Sequence, residues 1–201
     1  MVLMGNVQAQ SQSFSYDCDF ETDADTVGWR MVNGSGSNKW VISNAENQTA
    51  NGARSMYVSD DNGSSNGYNH GEQSTVYAYR EVSLDAGMYT FSFDWKCMGD
   101  YASWGDNPYD YLRVVLAPAS TVLTAGSKPA GFSSSALPVG WIALDGGSKY
   151  RSSAWKHQSV EFEIEAQGAY KLVFVWLNDN YGGSDPAATV DNIELMKDPT
   201  P

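Results

Sequence analysis

The chain reads as an all-β protein, a jelly-roll β-sandwich of two antiparallel sheets with about ten strands. Three observations carry that reading. Apolar residues alternate with period two, most clearly at Tyr170, Leu172, Phe174 and Trp176, while Lys171, Val173 and Val175 share the opposite face. A strand with apolar residues on both faces belongs mid-sheet rather than at an edge. Aromatic residues make up 13% of the 201 residues, and Gly, Ser and Asn crowd the stretches between them, which favours strands joined by long loops over helix. Finally, residues 86–95 (AGMYTFSFDW) echo residues 167–176 (QGAYKLVFVW) in turn glycine and aromatic spacing, so one core strand is repeated upstream. A chain of this length suits one domain with a sizeable core.

Taken in order, residues 1–12 read as a signal-peptide remnant or a disordered N-terminus. Met1 to Met4 form a short apolar run, and Val7-x-Ala9 places small residues at cleavage positions, without a basic segment before them. The domain proper spans residues 13–196. Residues 13–21 are the first strand, with Asp17, Asp19 and Glu21 on one face and Cys18 and Phe20 on the other. Residues 22–28 turn towards Trp29. Short strands follow at 38–43 and 55–59, then a polar loop at 60–71, and strands at 74–82 and 88–97. An aromatic-rich insertion, GDYASWGDNP at 99–108, precedes a strand at 109–116. Residues 118–139, rich in Ala, Ser, Gly and Pro, read as loops crossing between sheets. Strands at 141–144, 157–165, 168–177 and 189–195 complete the chain, with no helix. Trp95, Trp141, Trp155 and Trp176 sit in strand context and are expected in the core. Residues 197–201 read as a linker or C-terminal tail, which makes the chain a candidate module of a larger protein.

The formal charge of −12 argues against nucleic-acid binding, which needs clustered Lys and Arg, and equally against anionic membrane surfaces. No stretch is long and apolar enough for direct membrane insertion. Cys18 and Cys97 both point inward by strand parity. They either pair, adding about 4 kcal/mol in the chain-entropy model, or remain two separate buried thiols, since nothing in the sequence fixes their distance.

Several phrases together resemble a secreted Bacteroidetes family, the choice-of-anchor J or cleaved-adhesin type domains, which are MAM-like jelly rolls. They are Asp19-Phe20-Glu21 followed by Gly28-Trp29, Asn38-Lys39-Trp40, SMYVSDDNG at 55–63, Tyr77-Ala78-Tyr79-Arg80, FSFDWK at 91–96, DYLRV at 110–114, FVWLND at 174–179 and VDNI at 190–193. The ordered set covers residues 17 to 195. The resemblance implies export, an extracellular or cell-surface location, and a glycan or host or cell-surface protein as partner, rather than catalysis. The insertion at 101–108 departs from the family pattern.

In jelly-roll binding modules of this kind the first and last strands lie close together, and similar domains carry structural calcium there. Asp19 and Glu21 set against Asp191 and Asn192 would supply the hard oxygen ligands that calcium prefers. The competing view is that Asp19 and Glu21 face solvent and Asp191 caps a turn. Asp23 to Gly28 begins like an EF-hand loop but fails at positions five (Val27) and twelve (Gly34). Asp60-Asp61-Asn62 reads better as a solvated turn than as a cation site.

Exposed aromatics are the candidates for ligand contact, because sugar faces stack on rings while polar neighbours bond hydroxyls. Tyr101, Trp104 and Tyr109 around the insertion, and Tyr181 in the loop after the second aromatic strand, fall outside the core alternation. Trp104 either contacts ligand or folds back as a plug over the sandwich end. Gly63-Ser64-Ser65-Asn66-Gly67 matches the G-x-S-x-G pattern, but the residues that follow offer no helix to aim Ser65. His70 and His157 form no metal motif, and no carboxylate pair stands out for glycoside hydrolysis. The sequence therefore points to a secreted, non-catalytic adhesion or carbohydrate-binding module with structural calcium. The alternatives are an accessory domain of a glycan- or protein-hydrolysing enzyme and a passive spacer of a surface protein.

Overall fold

A computed structural model describes residues 14–102, 107–147 and 150–199. Their strands are β1 (Ser15–Cys18), β2 (Trp29–Val32), β3 (Lys39–Ser43), β4 (Ser55–Ser59), β5 (Ser74–Leu84), β6 (Gly87–Cys97), β7 (Asp100–Tyr101), β8 (Pro108–Pro118), β9 (Ile142–Ala143), β10 (Ser152–Ile164), β11 (Gly168–Asn178) and β12 (Thr189–Lys197). They form two sheets of six strands, paired antiparallel throughout. The first runs β10-β6-β12-β4-β3, with β1 also on β12; the second runs β2-β5-β11-β8-β7, with β9 also on β8. The repeated aromatic phrase supplies the middle of each sheet: β6 lies between β10 and β12, and β11 between β5 and β8.

The two central strands meet face to face. Phe93 of β6 packs edge-on against Phe174 of β11, with ring centroids 5.6 Å apart at 87°. These residues occupy equivalent positions in the repeat. Phe174 also touches Trp29 and Trp40, at 5.8 and 6.4 Å, so one fully buried ring joins three strands of both sheets. Aromatic pairs in such geometry contribute about 0.5–1.5 kcal/mol beyond their burial. Cys18 and Cys97 are both buried and unpaired; burial pushes the Cys97 thiol up to about 12.

The second face of β11 is apolar because it is covered too. Val173, Val175 and Leu177 join Tyr77, Tyr111 and Val115 on the outside of the second sheet, and Phe132 lies buried on them. Residues 119–141 form this cover. Rather than crossing between sheets, they connect β8 to β9, its neighbour in the same sheet. Lys171 stands among the apolar outer residues and donates its Nζ protons to the Ala119 and Thr121 carbonyls at 2.7 and 2.6 Å. Its charge thereby stitches the start of the cover to the sheet. Trp141 precedes β9 and packs on Phe132 at 5.9 Å, in this second cluster rather than in the main core. Trp155 also departs from expectation: on β10 it is only half-buried, under the Lys96 ammonium 5.3 Å from its ring centroid.

Three short elements were not anticipated. The acidic run read above as a failed EF-hand loop forms a one-turn helix, α1 (Asp23–Thr26). Thr22 and Asp25 make a reciprocal capping box, in which the Asp25 carboxylate accepts from the Thr22 N–H and hydroxyl at 2.8 Å each. Strand β2 is only four residues long, and β7 is two, too short for periodicity to show. At the other end β12 runs through Lys197, and the Asp198 N–H still bonds the Met88 carbonyl at 2.9 Å.

Candidate functional site

At one end of the second sheet β8 begins, β11 finishes and β5 starts. Alternation along β8 sends Asp110 and Leu112 into the sandwich and Tyr109, Tyr111 and Arg113 outwards. On this outer face the cover reaches only part of the way. Tyr111 is buried, whereas Tyr109, one step nearer the sheet end, is 51% exposed. A cavity of about 350 Å³ opens there between the sheet end and the covering loop. Tyr109 and Tyr111 supply its aromatic surface; Gln73, Asp179, Lys128 and Ser133 supply amide, carboxylate, ammonium and hydroxyl groups around it.

Buried chemistry behind the strands holds this end in shape. Asp110 is fully buried and accepts the Tyr68 hydroxyl at 2.6 Å and the Asp179 N–H at 2.8 Å. Burial pushes its carboxyl up to about 6. Desolvation and this same bond to Asp110 push the Tyr68 phenol far above its ordinary value. Gly183 passes so close that a Cβ there would collide with the Tyr68 hydroxyl, and its φ of +148° is one that side chains rarely adopt. Asp110 thus fixes where the loop after β11 leaves the sheet, and with it the cavity wall carrying Asp179.

The covering loop is tied to the sheet at a few separate points. Arg113 is 4% exposed and donates Nε to Asp145 Oδ2 at 2.5 Å and Nη2 to Oδ1 at 3.4 Å. Its Nη1 bonds the Ser133 carbonyl at 2.9 Å. Farther along, the Tyr77 hydroxyl donates to the Ser127 carbonyl, and the Gly126 N–H to Thr75 O at 2.8 Å. The wall opposite Tyr109 is therefore a pinned loop.

The aromatics singled out from sequence fare differently. Tyr109 lines the cavity. Tyr181 is 86% exposed, and its N–H bonds Asp179 Oδ1 at 2.8 Å, so it stands beside the same carboxylate. Tyr101 instead turns its hydroxyl to the Tyr150 carbonyl at 2.7 Å, with the Arg151 guanidinium 4.8 Å from its ring centroid. Trp104 lies outside the described residues. Gln73, Tyr111, Lys128, Ser133 and Asp179 were not identified from the sequence, although the double apolar alternation of β11 already required a covering segment.

At the junction of the first and last strands, Asp191 is fully buried and accepts from the Gln48 and Thr49 N–H groups at 2.8 and 3.1 Å. Burial, with Glu21 adding like-charge repulsion, pushes its carboxyl up to about 6. Asn192, at φ +48°, accepts the Thr49 hydroxyl at 2.8 Å and donates to Asp94 at 2.8 Å. Glu21 accepts from Asn47 Nδ2 and from the Ala53 and Arg54 N–H groups at 2.8–3.0 Å. One loop, residues 47–54, thus bridges Glu21 to Asp191 and Asn192. Asp19 is turned instead to the Glu21 N–H, at 3.1 Å, and towards Asp25. Among the described residues, no three His, Cys, Asp or Glu side chains are placed to share one ion.

The Ser65 hydroxyl donates to Asp61 at 2.8 Å within a turn, and the N–H of Ser65 does the same at 2.9 Å. The Ser59 hydroxyl, which donates to the same carboxylate at 2.7 Å, and these two bonds hold the Asp61 carboxyl below its ordinary value. His70 meets Asp185 at 3.3 Å and His157 meets Asp94 at 2.8 Å, so neither histidine serves Ser65.

No family model and no curated protein matches the chain. Among solved structures, the xylan-binding CBM22-1 domain of Paenibacillus barcinonensis Xyn10C superposes with a TM-score of 0.53, covering 94% of this chain and 97% of that one at 12% identity. The C-terminal family 22 carbohydrate-binding module of Clostridium thermocellum Xyn10B, described for ligand binding in its cleft, gives 0.50 over 90% and 92% at 14% identity. The K1 cleaved adhesin domain of Lys-gingipain from Porphyromonas gingivalis W83 gives 0.46 over 92% and 99% at 16% identity. At such identities the likeness is one of fold, and that fold is the jelly-roll β-sandwich.

Proposed function

We propose that this chain is a non-catalytic carbohydrate-binding or adhesion module whose ligand lies in the Tyr109 cavity, with a structural calcium ion at the Glu21–Asp191 junction. The observation that carries the reading is the half-exposed Tyr109 ring, set in a cavity edged by amide, hydroxyl, carboxylate and ammonium groups. A sugar ring stacks its C–H face on such an aromatic while its hydroxyls bond the polar rim. The bonds that tie Arg113 to the covering loop and Asp110 to Asp179 pre-shape both walls, which lowers the ordering cost of binding. The two family 22 modules named above share the fold, and one binds its ligand in a cleft. Ser65 and both histidines are engaged in separate local contacts, which supports binding rather than turnover.

The calcium reading rests on Glu21, Asp191 and Asn192. Their oxygens are of the hard type calcium takes, and the two carboxylates repel one another across the 47–54 loop. A divalent cation would relieve that repulsion and tie the first strand to the last, acting on stability rather than on ligand. The setting that fits is extracellular or at the cell surface, with a glycan or a surface protein as partner and the chain as one part of a larger protein. No helix among the described residues is long and apolar enough to cross a membrane.

Affinity electrophoresis in gels containing soluble β-1,4-linked polysaccharides tests the central claim. Wild-type protein is expected to be retarded by at least one of them, and Tyr109→Ala to migrate freely while melting like wild type. Equal retardation of both would move the site elsewhere.

A further inference from the structure

Next to the Tyr109 cavity lies a second, of about 280 Å³, on the far side of Gly126. The two share Gln73, Thr75 and Gly126 as lining. Gly126 is the saddle between them. Its N–H is spent on Thr75 O, its φ is +77°, and a Cβ built on it meets nothing within 4 Å, so the space above the saddle is open. The Gln73 side chain is exposed there and faces both cavities.

The walls of the second cavity are as firmly set as those of the first. The Glu72 carboxylate takes the Ser37 hydroxyl and the Ser37 N–H, the latter at 3.0 Å, which hold it below its ordinary carboxylate value. Asn33 closes a reciprocal pair with Trp40, donating to its carbonyl at 2.9 Å and accepting its N–H at 2.8 Å. A Cβ on Gly34 would lie 2.8 Å from the Ala125 Cβ, so the 33–36 turn abuts the covering loop. Each cavity alone sits near the lower end of ligand-site volumes, roughly 300–1,000 Å³, and the two adjoin along their three shared lining residues.

From this we infer that the two cavities form one trough that takes an internal stretch of an extended glycan chain, passing over Gly126, rather than a single terminal sugar. The inference rests on the carbohydrate reading of the Tyr109 cavity. Gln73, placed at the saddle, would bond hydroxyls of consecutive rings.

The test begins with the polysaccharide that retards wild-type protein in the gel assay and uses its oligosaccharides, from disaccharide to hexasaccharide, in calorimetric titrations. Wild type is expected to gain affinity with chain length by about tenfold once both cavities are filled, equal to about 1.4 kcal/mol. Ser35→Trp, which fills the second cavity from its exposed rim, should bring the hexasaccharide down to the disaccharide's level. Gly126→Asn provides an independent block, because asparagine tolerates a positive φ and its side chain enters the open saddle. Melting curves establish that each variant folds. A wild-type disaccharide that binds as tightly as the hexasaccharide, or a length dependence that survives in both variants, overturns the spanning trough while leaving the carbohydrate reading in place. Binding to none of the polysaccharides overturns the carbohydrate reading, and the trough with it.

Discussion

Replacing Arg113 by methionine isolates the contact that ties the covering loop to the second sheet. The side chains of Arg113 and Asp145 are 5% and 0% exposed. Losing one member of a buried ion pair costs about 3–5 kcal/mol, because the remaining charge is stranded. The two ends are not equivalent. Without Arg113, Asp145 keeps the Val114 and Gly147 N–H groups at 3.1 and 2.9 Å. Without Asp145, Arg113 keeps, among the described residues, the Ser133 carbonyl and the Phe132 ring, whose centroid is 6.0 Å away. Arg113→Met is therefore expected near the lower end, about 3 kcal/mol, and Asp145→Leu near the upper end. The double variant should recover part of the sum, since an apolar pair of similar volume strands no charge; the coupling should be about 0.5–3 kcal/mol. Urea unfolding followed by tryptophan fluorescence reads these values, with unchanged slopes showing that only stability moved. In a chain of this size about 3 kcal/mol corresponds to a melting shift of about 6–12 °C. A cost for Arg113→Met below about 1 kcal/mol, a smaller cost for Asp145→Leu than for Arg113→Met, or strict additivity would each refute the reasoning.

Three further outcomes follow from the same contacts. Calcium at one hundred times its dissociation constant should add about 2.7 kcal/mol, a rise of several degrees in the melt over protein in chelator, and Glu21→Gln should blunt it; identical wild-type curves in calcium and chelator would remove the ion. Asp110 has its folded value raised to about 6 from an ordinary 3.8, so its contribution is fully present below about pH 4 and lost as pH rises through about 6. Asp110→Asn should lack that loss, and urea midpoints of both proteins at pH 4.5 and 7.5 that move in parallel would contradict it. Cys18 and Cys97 are buried, so a thiol reagent should label neither in native protein and both in denaturant. Rapid native labelling of either would contradict their burial.

What the sequence made legible was whatever obeys a short period. Tyr89 to Trp95 and Tyr170 to Trp176 repeat every second residue, and they became the facing centres of the two sheets. β4 was bounded to the residue, because Ser55–Ser59 is flanked by loop residues on both sides. Turn chemistry was harder to read. Asp23 and Asp25 carry the charges of a cation loop, yet Asp25 is engaged by Thr22 three residues earlier, and only the capping geometry separates the two uses. The aromatic candidates were chosen by exclusion from alternation, a rule that cannot tell Tyr109, half open on a cavity, from Tyr101, whose hydroxyl is bound to Tyr150. The polar partners Gln73, Lys128 and Asp179 lie far apart in sequence. Chain topology alone brings them together, so no local pattern announces them.

The covering loop explains why stability and binding should be coupled here. A run such as residues 119–141, with no regular structure of its own, is uncommon in a compact fold. Ordering each of its residues costs about 1–2 kcal/mol of backbone entropy. Against that stand one buried ring, Phe132, the partly buried Leu123, Leu137 and Trp141, and the few pins from Lys171, Arg113, Tyr77 and the Gly126 N–H. Val122 and Val139 remain 82% and 102% exposed, so much of the loop's apolar surface contributes nothing. With few buried contacts per ordered residue, this segment belongs at the low end of local stability, opening before the sheets part. It is also the wall facing Tyr109. A ligand seated against that wall binds only its closed form, so occupancy should slow amide exchange at 126–134 more than in β6 or β11, which are held by the core.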